Sequence, residues 1–329
     1  MYDVITVGSS TVDVFAKTKF SELIKIMSNK GETDFLAYPT GSKILIEQLE
    51  FTTGGGATNT AVALSRLGHK VACISKTGCG SNSEKIKRHL KRDKVDTSLI
   101  ACNKNERTGY SIILDSLKHD RTILAFKGAN DSLSFNEIKL KKLKTKWFFF
   151  CTMMGKSFKT LEKLAKFAEK NNIKIAFNAS PYLAEKGIKY SKEILKRTNI
   201  FVLNKEEAAS MTKKSKIEDM FKVLNSLVKI VIITDGKNEV NACDRNHIYT
   251  MKSNSIKVIE TTGAGDAFAS SFLSGMIKKN NIEFALKLAR TNAESVIQYH
   301  GAKNKLLTYK EVLKGMKKYP NKITKRQLK

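Results

Sequence analysis

The chain has 329 residues, of which 41% are hydrophobic and 27% are charged, and its formal net charge is +28. This length and composition suit one large α/β domain with an appendage and exclude a disordered or fibrous chain. The basic excess comes mostly from scattered lysines, which is more typical of solvated faces or a compositional bias than of a nucleic-acid site.

The cysteines and the apolar runs indicate the cellular compartment. Five cysteines, an odd number without a C-x-x-C pair, argue against a disulfide framework or a zinc site and for a reducing compartment. No basic-then-apolar leader opens the sequence, and the longest apolar run, residues 147–154, is too short to span a bilayer. We therefore expect a cytoplasmic protein that binds no membrane and no specific nucleic acid.

The first predicted element is a buried strand that ends near a carboxylate. β-Branched residues dominate positions 2–7 and Gly8 follows them, which indicates the first strand of a buried parallel sheet. Asp13 lies five residues past Gly8, and α/β folds bind ligands just beyond the carboxyl ends of such strands. From this position alone, Asp13 is either a ligand-binding carboxylate or a surface residue that caps a turn.

Residues 17–53 interrupt the α/β rhythm. We expect a short helix over residues 21–30, to which no function is assigned, and an exposed β segment around residues 44–49. Further along the chain, alternating patterns at 108–114 and 121–126 flank a polar link and predict a β-hairpin.

A glycine-rich turn opens the next helix. Gly54, Gly55 and Gly56 precede apolar positions at helical spacing, and Gly68 stands where a helix usually ends. Glycine lets the backbone approach a ligand, and the Asn59 side chain can both donate and accept hydrogen bonds to hydroxyls. Taken alone, such a motif predicts a binding site only weakly.

The remainder alternates strands and helices. Strand patterns occur at 71–76, 147–154, 173–177, 200–203 and 230–236, and helical patterns occur at 83–91, 158–169, 192–197 and 283–296. This βα repetition is typical of a doubly wound, mostly parallel sheet.

Polar residues follow two of these strands. Asn204 and Glu207 open the helix after residues 200–203, and Thr234 and Gly236 end the strand at 230–236. Glu207 suits Mg²⁺, which prefers oxygen ligands and keeps several waters, but the same pair also fits an ordinary capping box. Asn292 lies in the helix at 283–296, where a core or capping role is as well supported as a ligand contact.

A second small-residue turn follows a short strand predicted over residues 256–259. Gly263, Ala264 and Gly265 open a helix, and the unpaired amides and dipole of a helix start make it an anion site. Asp266 places a carboxylate in the first turn. The alternative is a plain strand-to-helix connection in which Asp266 only caps the helix.

Two of these stretches together carry a family resemblance. Residues 260–266, Glu-Thr-Thr-Gly-Ala-Gly-Asp, resemble the C-terminal signature of ribokinase-like (PfkB-type) carbohydrate kinases, and residues 54–68 resemble their N-terminal signature. The resemblance implies a ribokinase-like three-layer α/β/α sandwich with a mostly parallel central sheet. It also implies a small β lid formed by 31–53 and 108–126, on a core of 1–16, 54–107 and 127–316. The basic, proline-interrupted residues 317–329 predict a frayed or disordered tail.

The resemblance also implies a role for each candidate residue. Asp266 would be the base on the acceptor hydroxyl, and the amides of Gly263, Ala264 and Gly265 would form the anion hole for the moving phosphoryl group. The implied substrate-binding residues are Asp13, Gly54, Gly55, Gly56, Asn59 and Asn130, the last from a G-A-N element for which a plain turn is as well supported. The implied ATP-binding residues are Asn204, Thr234, Gly236, Thr262 and Asn292. Glu207 would act through water on Mg²⁺, so the implied cofactors are ATP and Mg²⁺.

Four positions depart from the family pattern. Glu260 replaces an Asp or Asn, Ser271 replaces an Ala or Gly, and Glu239 stands where relatives have a second glycine. The usual D-x-x-G after the strand at 71–76 is missing. Because the first of these positions helps to hold a monovalent cation in some relatives, Glu260 leaves activation by such a cation open.

The residues and the resemblance together predict an ATP-dependent kinase for a primary hydroxyl of a sugar or nucleoside. The Asn-Ala-Ser-Pro run at 178–181 is closer to N-P-x-P of ribokinase and nucleoside kinase relatives, which favours a neutral acceptor. The alternatives are a kinase for an already phosphorylated sugar, a catalytically silent sugar- or nucleotide-binding relative, and a nucleic-acid-binding protein suggested only by charge. Lid strands that pair between subunits would make a homodimer.

Overall fold

The computed structural model describes residues 1–18, 22–28, 31–115, 121–299, 301–319 and 322–328. The strands, in chain order, are β1 (Tyr2–Val7), β2 (Thr11–Lys17), β3 (Glu22–Ser28), β4 (Gly31–Ala37), β5 (Gln48–Gly54), β6 (Val71–Gly78), β7 (Ile100–Asn103), β8 (Gly109–Asp115), β9 (Arg121–Phe126), β10 (Thr145–Cys151), β11 (Lys174–Asn178), β12 (Ile200–Asn204), β13 (Ile230–Asp235), β14 (Glu239–Cys243), β15 (His247–Lys252) and β16 (Ile323–Gln327). The α-helices are α1 (Gly56–Arg66), α2 (Ser81–Arg92), α3 (Gly155–Lys170), α4 (Pro181–Leu195), α5 (Lys205–Thr212), α6 (Ile217–Asn225), α7 (Ala264–Lys279), α8 (Ile282–Val296) and α9 (Tyr309–Lys318).

A ten-stranded sheet forms the centre of the molecule. Its order is β16-β15-β14-β13-β12-β11-β10-β1-β6-β7, parallel from β13 to β7 and antiparallel at the β14–β16 edge. The carboxyl ends of β1, β10, β11, β12 and β13 therefore meet at one side of the sheet, where α/β folds bind ligands. The predicted mostly parallel sheet is confirmed.

Helices cover both faces of this sheet. In β10, the buried Phe148 and Phe150 pack with residues of α3, α4, α5 and α6, whereas the buried Phe149 packs with residues of α1, α2, α7 and α8. Successive side chains of a strand point to opposite faces, so the run of aromatic residues fills both cores at once. The three-layer α/β/α sandwich follows from this arrangement.

A second, four-stranded sheet forms the lid, in the order β5-β2-β8-β9. Its central pair, β2 and β8, is parallel, and β3 and β4 form a separate antiparallel hairpin. The strand that carries Asp13, β2, pairs within this sheet. One expectation for this region is wrong, because the described part of the predicted helix at 21–30 is the strand β3, whose backbone pairs with β4.

Three other expectations differ from the structure. Residues 256–259 form no strand, and the amides of Ile259 and Glu260 instead donate to the carbonyl of Ile297. Within 317–329, α9 continues to Lys318 and β16 pairs with β15, so the described part of the predicted tail is ordered secondary structure. A disulfide joins Cys79 to Cys102, against the expectation from the cysteine count. Over the described ranges, no helix has the length and apolarity that crossing a membrane requires.

Candidate active site

Asp266 lies in the first turn of α7, where the sequence predicts an anion site. The preceding Gly263 caps the helix with φ +79°, a left-handed conformation that favours glycine, and a Cβ there would lie 2.5 Å from the Cβ of Ala302. Gly265 is different, because no atom lies within 4 Å of the position its Cβ would take. The backbone of the first turn is therefore bare on the side of Gly265.

The Asp266 carboxylate joins the two glycine turns. Its Oδ2 accepts a hydrogen bond from Asn59 Nδ2 at 2.9 Å, and its Oδ1 accepts one from Asn178 Nδ2 at 3.2 Å. Asn59 belongs to α1, directly after the first glycine turn, and Asn178 ends β11. The predicted meeting of the two distant turns is thus present, and the carboxylate faces polar groups rather than packed hydrocarbon.

Burial raises the pKa of Asp266 to about 6, while the hydrogen bonds from Asn59 and Asn178 and the positive charge of Lys303 act in the opposite direction. A carboxylate with a pKa near neutrality is a better proton acceptor than an ordinary aspartate and is still ionised at pH 7. This is the electrostatic setting that a general base needs.

Asp13 lies beside the first glycine turn. Its carboxylate is 7% exposed, and its Oδ1 accepts a hydrogen bond from Thr11 Oγ1 at 2.8 Å. A Cβ on Gly54 would overlap Asp13 Oδ2, and a Cβ on Gly55, which has φ +96°, would lie 2.5 Å from the carbonyl oxygen of Ser9. A Cβ on Gly56 would lie 2.8 Å from the Cβ of Cys151 and 3.9 Å from Asp266 Oδ1. The turn therefore passes between the two carboxylates.

A cavity of about 220 Å³ opens beside Asp266 at the carboxyl ends of β1, β10 and β11. Its lining residues are Ser9, Gly56, Lys127, Asn130, Asp131, Cys151, Thr152, Met153, Met154, Asn178, Ala179, Ser180, Tyr182 and Asp266. Ser180 Oγ, at the cavity, and Oδ1 of Asn59, whose amide nitrogen bonds Asp266, are buried without a hydrogen-bond partner among the described residues. Buried polar groups are normally paired, so these atoms are available to a hydroxylated ligand.

Asn130 lines the cavity, but its side chain is engaged elsewhere. Its Oδ1 accepts from the Ser10 amide at 2.9 Å, and its Nδ2 donates to the carbonyls of Ser10 and Lys127. The side chain of Asn130 thus stabilises the turn after β1. These bonds do not support the predicted contact between Asn130 and the acceptor.

The residues predicted to bind nucleotide lie at the ends of neighbouring strands, with one exception. Asn204 ends β12 opposite Thr234 of β13, and Gly236 follows in a turn with open space around it. Thr262 Oγ1 is buried without a partner among the described residues. Asn292 is the exception, because it is fully buried and its amide bonds Ser271 Oγ and the Leu307 amide. These bonds occupy its amide in the interior, which is the core role that the sequence offered as the alternative.

The comparisons with known proteins agree with this geometry. The sequence pattern of the pfkB family carbohydrate kinases matches residues 18–308. The chain belongs to the pfkB family of carbohydrate kinases. It is 25% identical over 280 residues to the ribokinase of Haemophilus influenzae. The aligned residues cover 83% of this chain and 90% of that ribokinase.

Solved structures of the family share the fold of this kinase. The nucleoside kinase of Methanocaldococcus jannaschii superimposes with a TM-score of 0.79 and 22% identity, covering 96% of this chain and 99% of that one. A putative ribokinase II from E. coli in complex with ATP and Mg²⁺ gives a TM-score of 0.82 and 18% identity, covering 97% and 100%. The ribokinase-like fold predicted from the two signatures is confirmed.

Glu207 of this kinase forms the capping box that the sequence offered as the alternative to a metal site. Its Oε2 accepts from the Asn204 amide at 2.8 Å, while Asn204 Oδ1 accepts from the Glu207 amide at 2.7 Å. Burial raises the pKa of Glu207. Across the described ranges, no cluster of three acidic, His or Cys residues could enclose a metal ion.

The donor set nevertheless fits Mg²⁺ in one respect. The carboxylate of Glu207 lies in the first turn of α5, directly after Asn204 at the end of β12, and Mg²⁺ is commonly held by one or two carboxylates, waters and substrate phosphates. These residues would hold the ion together with the nucleotide.

Two residues in contact with the site were missed in the assignment of roles. Asn178 was noted only for its motif, although its place at the end of a buried strand is a signal that it faces the ligand edge. Lys303, which acts electrostatically on Asp266, lies in a loop of ordinary composition, and the sequence carries no signal for it.

Proposed function

We propose that this chain transfers the γ-phosphoryl group of ATP to a primary hydroxyl of a sugar or nucleoside. The observation that carries the proposal is the position of Asp266. It is hydrogen-bonded to Asn59, which follows the acceptor-side turn, and it lies in the first turn of a helix that is open around Gly265. The Asp266 carboxylate, as the base, therefore lies between the acceptor pocket and the anion site.

The residues support one reaction sequence. Asp13 and the free Oδ1 of Asn59 accept hydrogen bonds from acceptor hydroxyls and hold the reacting oxygen near Asp266. As this oxygen forms its bond to the γ-phosphorus, its proton passes to Asp266, the bond between that phosphorus and the β–γ bridging oxygen breaks, and ADP leaves. Amides of the α7 turn donate to the developing charge, which is where most phosphoryl-transfer catalysis lies. Mg²⁺, when bound, neutralises charge on the phosphates.

Relatives support both acceptor classes. One protein similar to this chain is a ribokinase and another is a nucleoside kinase. The cavity beside Asp266 carries amide, hydroxyl, thiol and thioether groups and the charged Lys127 and Asp131. It has one ring, Tyr182, one face of which lies under Lys127 Nζ. These groups suit a polyhydroxylated acceptor, and Tyr182 provides a face for a base.

A coupled ADP-release assay tests the proposal. The chain would be incubated with ATP and Mg²⁺ and with pentoses, hexoses, hexose phosphates and nucleosides in turn. We expect turnover with at least one neutral pentose, hexose or nucleoside, and the product's phosphate position is read by ³¹P NMR. Turnover with hexose phosphates alone would assign the chain to the other acceptor class, and ATP binding without turnover on any acceptor would make it a silent relative.

We also propose that the lid forms a homodimer. One face of the lid sheet exposes a set of large apolar side chains, namely Leu49, Phe51, Ile112, Leu124 and Phe126. A contiguous apolar face of this kind is typical of an interface. Sedimentation equilibrium of the full chain checks this, with a twofold mass expected for the wild type and a monomer for Phe51→Lys/Phe126→Lys; a monomeric wild type would contradict it.

A further inference from the structure

One short segment touches both glycine turns. The Gly301 amide donates to Glu260 Oε2 at 2.7 Å, and Ala302 occupies the space that a side chain at Gly263 would need. Residues 301 and 302 therefore pack against the phosphoryl-side turn. The next residue, Lys303, extends to the other turn.

The Lys303 ammonium bridges the lid and the acceptor-side helix. Its Nζ donates to Thr53 Oγ1 at 2.8 Å and to Thr58 Oγ1 at 3.2 Å. Thr53 belongs to the lid strand β5, one residue before the glycine turn, and Thr58 belongs to the first turn of α1, where its hydroxyl donates to the Gly54 carbonyl at 2.6 Å. The ammonium thus fixes both flanks of the acceptor-side turn.

The bonds of Lys303 are to neutral hydroxyls, and no carboxylate of the described residues forms an ion pair with it. Its charge nevertheless acts on several groups around it, namely Asp13 on β2, Asp93 after α2, His89 on α2, Cys73 on β6 and Asp266 on α7. Burial lowers the pKa of Lys303 to about 8, while these carboxylates act in the opposite direction. At pH 7 the ammonium is charged.

We infer that Lys303 is a positioning residue of the phosphotransfer site, whose ammonium holds the acceptor-side turn against the phosphoryl-side turn and whose charge acts on the Asp266 carboxylate. The inference rests on the proposed function of Asp266 as the base. It adds a residue outside both signatures to the machinery.

The electrostatic part of the inference concerns the groups that face Asp266. Asn59 from α1 and Asn178 from β11 donate hydrogen bonds to it, the buried Cys151 thiol of β10 lies close by, and Lys127 and Asp131 line the same cavity. Lys303 contributes a positive charge that favours ionised Asp266. Without that charge, the pKa of Asp266 would rise further.

The test uses three variants of Lys303 in the full-length chain. Lys303→Gln removes the charge and keeps hydrogen-bond donors, Lys303→Met removes both, and Lys303→Arg keeps the charge. Lys305→Met is the matched control, because Lys305 is exposed in the same loop and lies over the Tyr299 ring. Thermal unfolding of each variant shows which of them fold.

The direct readout is the ¹³C NMR titration of the Asp266 carboxyl, assigned with Asp266→Asn. We expect a midpoint near pH 6 in the wild type, Lys303→Arg and Lys305→Met, and a higher midpoint in Lys303→Gln and Lys303→Met. With a working acceptor, the acidic limb of kcat/KM should move by the same amount. The acceptor KM should rise more in Lys303→Met than in Lys303→Gln.

Three results would decide against the inference. Coincident Asp266 titrations in the wild type and Lys303→Gln would remove the electrostatic role, and an unchanged acceptor KM in Lys303→Met would remove the positioning role. If Lys303→Met does not fold, the Gln and Arg variants carry the comparison, and equal behaviour of these two would count against it. Because the titration needs no turnover, a chain inactive on every acceptor would refute the proposed function and leave the titration to decide the role of Lys303.

Discussion

The two glycine turns of this kinase look alike in sequence and differ in what surrounds them. Each glycine of the acceptor-side turn is crowded by protein, since side chains there would meet Asp13, the Ser9 carbonyl or Cys151. On the phosphoryl side, Gly263 is equally crowded by Ala302, but Gly265 has nothing within 4 Å. In the first turn, glycine is required because neighbouring protein atoms occupy the space that a side chain would need. In the second turn, the space beside Gly265 is open, and we interpret it as space for a ligand.

The largest test of this comparison removes the carboxylate that joins the turns. Asp266→Asn retains the shape but cannot accept a proton, so we expect kcat to fall by about 10²- to 10⁴-fold. ATP binding, measured by calorimetry, should persist. Asp219→Asn, at the start of α6, is the control and should turn over normally. Turnover near the wild-type rate in Asp266→Asn would show that Asp266 is not the general base.

The next test fills the open space of the second turn. In Gly265→Ala the new methyl meets no protein atom, so the midpoint of thermal unfolding should stay or rise slightly, because alanine is the better helix former. The methyl would obstruct an anion at the helix start, so kcat should fall by up to about 10²-fold.

Gly263→Ala is the matched comparison for this variant. Its methyl would press on Ala302 and its φ is +79°, so it should lose stability by about 1–3 kcal/mol, measured by urea unfolding. Equal behaviour of the two variants would erase the distinction between the crowded glycine and the bare one.

A smaller effect is expected at the first turn. In Gly54→Ala the methyl displaces the Asp13 carboxylate, and a hydrogen bond to a charged group contributes roughly 1.5–3 kcal/mol. The acceptor KM should therefore rise by about tenfold or more. The KM for ATP should hardly change in the same steady-state assays, and a rise in both constants would mean that the two turns do not serve separate substrates.

The mildest test changes only pH. Because burial raises the pKa of Asp266 to about 6, the base is protonated below that pH, and kcat/KM should fall as pH decreases through 6. An ordinary aspartate would place this limb near pH 4. A flat profile between pH 5 and 7 would mean that the ionisation of Asp266 does not limit the reaction.

Much of the fold was predictable from local pattern. Strands such as β1 and β13 are β-branched runs with no competing helical period, and both lie in the sheet where the pattern predicts them. The helix prediction at 21–30 was wrong, because the apolar residues Leu23, Ile24 and Ile26 fit a short helix and a hairpin strand equally well. Residues 256–259 failed because a β-branched run forms a strand only where a neighbouring edge is free to pair.

The sequence indicated the site residues that belong to motifs, but not those that only tertiary contacts bring to the site. Asp266, Asn59 and Asp13 were proposed from two motifs that resemble a family signature and from the position of Asp13 after β1, and the structure places all three around the first glycine turn. For Asn292 the sequence left a core role and a ligand contact open, because its position in α8 does not reveal that Ser271 and Leu307 bond its amide. Lys303 was missed for the opposite reason: its partners Thr53 and Thr58 are far from it in sequence, and only the folded chain brings them together.

The strand β2 runs on from the core strand β1 after a three-residue link, and it carries Asp13 into the middle of the lid sheet. If Asp13 binds the acceptor, as we propose, then the lid sheet itself holds the acceptor. Release of the phosphorylated product would then require the lid to open, and the rate of opening would be an upper limit on kcat.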